Sequence, residues 1–314
     1  MKPLQLFIFL LLVGHLASAQ DVPNPPLSFT DPYVLVLPFK RAGNLILLEA
    51  RADTFTGNFI LDTGAPGIIL NRTWFRAYPR MAEAEAMGIT GNTSSVFRTE
   101  LQDFQLGRIT ETEVIAEVID LGHIERSRGV PVLGLIGVGF FKGYEIIIDY
   151  PQNVLYILEL DRKGIRKSQQ APQFKGEPSK INMQLINNTI LIGGEIGGKR
   201  LRFSVDTGAE TNVLHNRLPE TVLQEVQITR RAVLSGTGSK KVEVLGGQIQ
   251  RLRIGGSDYK DVRTIVTNLS SMSRAYDLNI DGMLGHDFLS LGVVSINFVR
   301  KEFMFWSQSE GVQP

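Results

Sequence analysis

Short apolar runs bounded by turn-forming residues recur along the whole chain. "YVLVLPF" (33–39), "NLILLEA" (44–50), "EIIIDY" (145–150) and "VVSINF" (293–298) are rich in β-branched and aromatic residues and end in Gly, Asn, Pro or Asp. That pattern predicts a mostly β protein built from antiparallel strands. Helices are predicted to be few and short, with 71–88 ("NRTWFRAYPRMAEAEAMG") and 216–226 ("NRLPETVLQEV") as the best candidates.

The apolar pattern also repeats. "NFILDTGAPGIIL" (58–70) lies over "RFSVDTGAETNVL" (202–214), 144 residues later, with Phe59 on Phe203 and Asp62 on Asp206. Further on, "GLIGVGFFKGYEIIIDYPQNVLYIL" (134–158) lies over "GMLGHDFLSLGVVSINFVRKEFMFW" (282–306). Each half reads strand, Asp-Thr-Gly turn, strand, polar middle, apolar-apolar-Gly strand and closing hairpin. The segment 161–180 between them is basic, polar and broken by Gly and Pro, as linkers are. Two lobes follow, 33–160 and 181–306, with a tail at 307–314.

The N-terminus has a different character. Lys2, an apolar run from Leu4 to Val13 and the ending Ala17-Ser18-Ala19 form the layout of a cleaved signal peptide over 1–19, followed by an extension at 20–32. The run is shorter than the roughly 20 apolar residues of a spanning helix, so no membrane anchor is expected after cleavage. A secreted or periplasmic location is expected. The extension is Pro-rich and short, and no removable prosegment is expected. With no cysteine, stability must come from packing. The balance of 33 basic and 32 acidic residues carries no footprint for nucleic acid.

Candidate chemistry narrows to the repeated turn. The four histidines show no ligand spacing, so no metal or cofactor is expected. There is no Gly-x-Ser-x-Gly elbow and no thiol. One Asp-Thr-Gly would ordinarily be a turn and nothing more. Two copies in register within a whole-lobe repeat are different: a pseudo-twofold axis beside the turns would make Asp62 and Asp206 neighbours. Two such close carboxyls share a proton, one member acting as base toward water and the other as acid toward a carbonyl oxygen.

On these residues the sequence resembles the retropepsin-like and pepsin-like aspartic peptidases. The resemblance rests on DTGA at 62–65 and 206–209, and on Leu135-Ile136-Gly137 and Met283-Leu284-Gly285. It implies a bilobal aspartic-protease fold of two pseudo-twofold related β-barrel lobes. It also implies catalytic Asp62 and Asp206, supported by Thr63, Gly64, Ala65, Thr207, Gly208 and Ala209, and a peptide or protein substrate in the interlobe cleft. The two Thr should bond across the lobes, and Gly137 and Gly285 should allow close approach behind the turns. Hairpins near 88–97 and 233–244 are flap candidates. Glu210 and His286 stand where retroviral enzymes carry an acid–arginine pair, so they are expected to bond within the second lobe, with Pro66 and Val138 as the apolar counterpart. The expected function is an exported aspartic endopeptidase acting as a monomer; the alternative is a peptide-binding protein that kept the fold without turnover.

Overall fold

The computed structural model describes residues 6–7, 31–88, 91–234 and 242–307. Two sheets that share eight strands in the same order form the two lobes, and the first also carries Leu6–Phe7 at its edge beside Ala82–Gly88. In the first, Lys40–Ala42, Leu45–Ala52, Phe55–Leu61, Gly134–Ile136, Ile68–Asn71, Ile109–Ile119, Gly91–Leu106 and Ala82–Gly88 lie side by side, and Leu45–Ala52 also meets Gly91–Leu106. In the second, Gln184–Ile186, Thr189–Ile196, Lys199–Val205, Gly282–Leu284, Asn212–His215, Ser257–Thr267, Val242–Ile254 and Val226–Leu234 repeat the series, and Thr189–Ile196 meets Val242–Ile254. The extra pairing curls each sheet into a barrel around aromatic cores. Phe59, Phe104 and Phe140 pack edge to face in one lobe, while in the other Phe288 meets Tyr259 edge to face and stacks on Phe305.

The closing hairpins leave their barrels. Tyr144–Asp149 pairs antiparallel with Gly292–Asn297 of the other half, and Val154–Glu159, Val34–Pro38, Glu302–Ser307 and Ser179–Asn182 complete a six-stranded sheet with three strands from each half. The segment expected as a linker lies along this sheet. Arg166 binds Glu145 through two hydrogen bonds, of 2.7 and 2.6 Å, and Ser295 donates to the same carboxylate. Phe174 packs on Tyr156 and Trp306.

Both predicted helices shrink. Only Arg72–Phe75, capped by the Asn71 side chain, and Glu220–Leu223 are helical. Ala82–Gly88 is instead a strand paired with Gly91–Leu106. Ala and Glu are good helix formers, but "AEAEAMG" alternates with a period of two, and Pro79 separates it from the helix before it. Val226, expected as helical, opens a strand paired with Val242–Ile254. The strands flanking both expected flaps therefore pair antiparallel. The turns themselves, 89–90 and 235–241, lie outside the described residues, as do 1–5, 8–30 and 308–314, which include most of the expected signal and extension.

Candidate active site

Asp62 follows the strand Phe55–Leu61, and Asp206 follows Lys199–Val205. Behind each turn an apolar strand is wedged between the two arms of the loop: Gly134–Ile136 runs parallel to Phe55–Leu61 and antiparallel to Ile68–Asn71. Gly282–Leu284 does the same in the second lobe. These strands fix the aspartates by backbone, since Asp62 N donates to Ile136 O and Asp206 N to Leu284 O, each over 3.0 Å. A Cβ on Gly137 or Gly285 would run into the carbonyl of Ala65 or Ala209, so the close approach expected there is present.

The two loops meet across a pseudo-twofold axis. Thr63 N donates to Thr207 Oγ1 and Thr207 N to Thr63 Oγ1, both over 3.0 Å. Each hydroxyl donates onward to the opposite strand, Thr63 to Val205 O at 3.0 Å and Thr207 to Leu61 O at 2.8 Å. Four bonds among buried groups leave the loops little freedom to slide.

The carboxyls are placed just as symmetrically. Gly64 N donates to Asp62 Oδ1 and Gly208 N to Asp206 Oδ1, each at 2.8 Å. Each carboxyl also lies against the glycine of the other loop: a Cβ on Gly64 would come within 2.6 Å of Asp206 Oδ2, and one on Gly208 within 2.7 Å of Asp62 Cγ. Any side chain there would drive the pair apart. Both aspartates are buried, their Oδ2 atoms lack a donor from the rest of the described residues, and the carboxyls are within hydrogen-bond reach of one another.

Burial raises the Asp62 pKa from its ordinary 3.8 to about 6. Burial, reinforced by the Asp62 charge, pushes Asp206 well above the usual range. Bonds from Gly64 N–H, from the Asp206 carboxyl and from Ala65 N–H work against burial at Asp62. Near neutrality the pair therefore carries one proton and one charge, shared between the two carboxyls.

Two neighbours of the dyad escaped the sequence reading. Tyr276 ends the helix Ser270–Tyr276, and its hydroxyl donates to Gly64 O of the other lobe over 3.4 Å. Tyr150, at the end of a six-stranded-sheet strand, is buried, and that burial pushes its phenol pKa well above the ordinary value. The signal that could have found Tyr276 was the repeat itself, because "LGHIERSRG" (121–129) lies over "LSSMSRAYD" (269–277) and both are helical.

The expected bond between Glu210 and His286 is absent. Glu210 is buried against Arg128, the last residue of the first lobe's helix Gly122–Arg128, and accepts from Asn44 N at 3.1 Å. His286 lies 3.4 Å from Arg41 Nη1 and edge-on to Tyr150. Its pKa is lowered to about 4, first by burial and then by the charges of Arg41 and Arg263, where a carboxylate partner would have raised it. The acid turns across the lobe boundary because a guanidinium reaches it there, and sequence spacing within one lobe carries no trace of that. Beside the first loop, Val138 N bonds to Ala65 O and Gly139 N to Pro66 O, so these segments adjoin through the backbone.

Comparison with known proteins gives the following. A family model described as "Aspartyl protease" matches residues 50–140, and one described as "gag-polyprotein putative aspartyl protease" matches 192–291. No curated protein sequence matches the chain. Among solved structures, an aspartic proteinase from Irpex lacteus superposes with a TM-score of 0.55 at 12% identity, covering 88% of this chain and 98% of that one. At that identity the likeness speaks for the fold.

Proposed function

This chain belongs to the aspartic peptidase family, and from that premise we propose that it is an exported aspartic endopeptidase whose Asp62 and Asp206 activate water against a peptide bond. The observation that carries the reading is the dyad: two buried carboxyls, one from each lobe, each backed by the other loop's glycine and coupled to share one proton. In this reading the substrate lies extended in the cleft between the lobes. Asp62, the charged member, takes a proton from water as its oxygen attacks the scissile carbonyl carbon, while Asp206 gives its proton to the carbonyl oxygen. Collapse of the tetrahedral diol breaks the C–N bond, the proton on Asp62 passes to the leaving amine, and a diol proton returns to Asp206. The Thr63–Thr207 bonds hold the two acids in register, which is the positioning such a step requires.

Incubation of the purified protein with a mixed peptide library tests this. Cleavage blocked by a transition-state-mimicking aspartic-protease inhibitor, and absent from both Asp62→Asn and Asp206→Asn, is the expected result. Cleavage retained by either variant would move the chemistry elsewhere. Export rests on the N-terminal pattern of Lys2, the run Leu4 to Val13 and Ala17-Ser18-Ala19. N-terminal sequencing of protein recovered outside the cytoplasm should then begin at Gln20.

A further inference from the structure

The last residues of two equivalent helices break the twofold symmetry of the site. Gly122–Arg128 and Ser270–Tyr276 are both seven residues long, both follow a leucine, and both end on a left-handed residue, Gly129 or Asp277. Each final side chain reaches the opposite lobe's loop. Arg128 goes past the Asp-Thr-Gly turn to Glu210, whereas Tyr276 donates to the turn itself, at Gly64 O.

Gly64 O belongs to the same peptide group as Ala65 N–H. That N–H faces the Asp62 carboxylate and also bonds Asp62 O at 3.1 Å. A donor on the carbonyl of a peptide polarises the group and strengthens its N–H as a donor. From this geometry we infer that Tyr276 is a positioning residue for the dyad, acting through the Gly64–Ala65 peptide to favour the ionised form of Asp62 and so leave the shared proton on Asp206.

This rests on the aspartic-peptidase reading and deepens it, since it says which member is base and which is acid. In the other lobe the equivalent final residue, Arg128, pairs with Glu210. The charged and titratable groups around the pair are few. Tyr276 faces both carboxyls from its helix, and Tyr150 faces Asp206 from the six-stranded sheet, with Arg41 and His286 beside Tyr150. Both phenols stay neutral across the working range, so neither adds a charge of its own.

The test removes the hydroxyl and keeps the ring. In protein labelled with 13Cγ-aspartate, the signal missing from Asp62→Asn should titrate about 0.3–0.5 pH unit higher in Tyr276→Phe than in the wild type, a size set by the strengthening of one bond along a chain. The acid limb of kcat/KM on fluorescein-labelled casein should move up by the same amount, with rates below the midpoint falling about two- to threefold and KM unchanged. Should Tyr276→Phe fail to fold, difluorotyrosine at 276 serves instead: its stronger donor should move the same titration downward. A titration that stays put, or moves the other way, overturns the relay. If the titration moves but wild-type protein leaves casein intact, the peptidase reading fails and the relay stands. If wild type cleaves through both aspartates but neither readout moves, the relay alone is lost.

Discussion

At the residue scale, the chemistry depends on holding a charge where burial opposes it. Asp62 has no exposed surface and a pKa raised from 3.8 to about 6. A carboxyl whose folded pKa exceeds its unfolded one binds more protons folded than unfolded, so its contribution to stability falls as pH rises between the two values. Above about pH 6 the full cost is present. Asp62→Asn keeps an acceptor for Gly64 N–H and removes the charge. It should therefore abolish hydrolysis while raising stability at pH 7 by about 1–3 kcal/mol, a gain that shrinks toward pH 4. Urea unfolding of both proteins at pH 4 and pH 7 measures this, and equal stability at pH 7 would mean that the folded protein bears no cost for the charge. The aspartates and their threonines were legible in the sequence because the motif occurs twice in register. The partners of Glu210 and His286 were not, because they depend on which side chains from the other lobe arrive at the interface, and no period along the chain encodes that.

At the element scale, the strands were legible wherever one face is buried, since alternation and β-branched runs report burial directly. The helices were not. Ala82–Gly88 was misread because residue propensity and period disagree there, and cross-strand pairing with Gly91–Leu106 decides in favour of the period. Gly122–Arg128 and Ser270–Tyr276 span only about two turns each, too short for a helical period to emerge. Yet these two helices carry the side chains that lock one lobe to the other. Arg128 and Glu210 are both nearly inaccessible, at 4% and 3% side-chain exposure, so removing one member leaves the other charge buried. Arg128→Met should cost about 3–5 kcal/mol, whereas the double change Arg128→Met with Glu210→Gln should cost clearly less, because no uncompensated charge remains. Denaturant titration of the two single variants and the double variant measures the coupling. Additive losses would mean that the pair does not act as a unit.

At the scale of the whole molecule, the six-stranded sheet makes the two lobes one structure. Tyr144–Asp149 has Gly292–Asn297 as its neighbour, and His286 lies in the joint above, against Arg41 and Tyr150 from the first half. The sequence showed the repeat but not this merger, because a strand of alternating apolar residues looks the same whether its partner is near or distant in the chain. The merger sets an opposing pH dependence. His286 has its pKa lowered from 6.5 to about 4, so the folded protein binds fewer protons there than the unfolded chain, and stability is lost as pH falls from about 6.5 through 4. Asp62 acts over nearly the same window with the opposite sign, losing stability as pH rises from 3.8 through about 6. Each effect therefore masks the other in the wild type. His286→Leu removes the first and leaves the second, so its stability should decline from pH 4 to pH 6.5 more steeply than that of the wild type. Asp62→Asn should tilt the profile the other way, and the double variant should return toward the wild-type slope. Unfolding free energies of all four proteins at half-unit intervals from pH 4 to pH 7 decide the matter. Four parallel profiles would mean that neither buried group titrates differently in the folded and unfolded chains, and the electrostatic account of the joint and of the dyad would fall together.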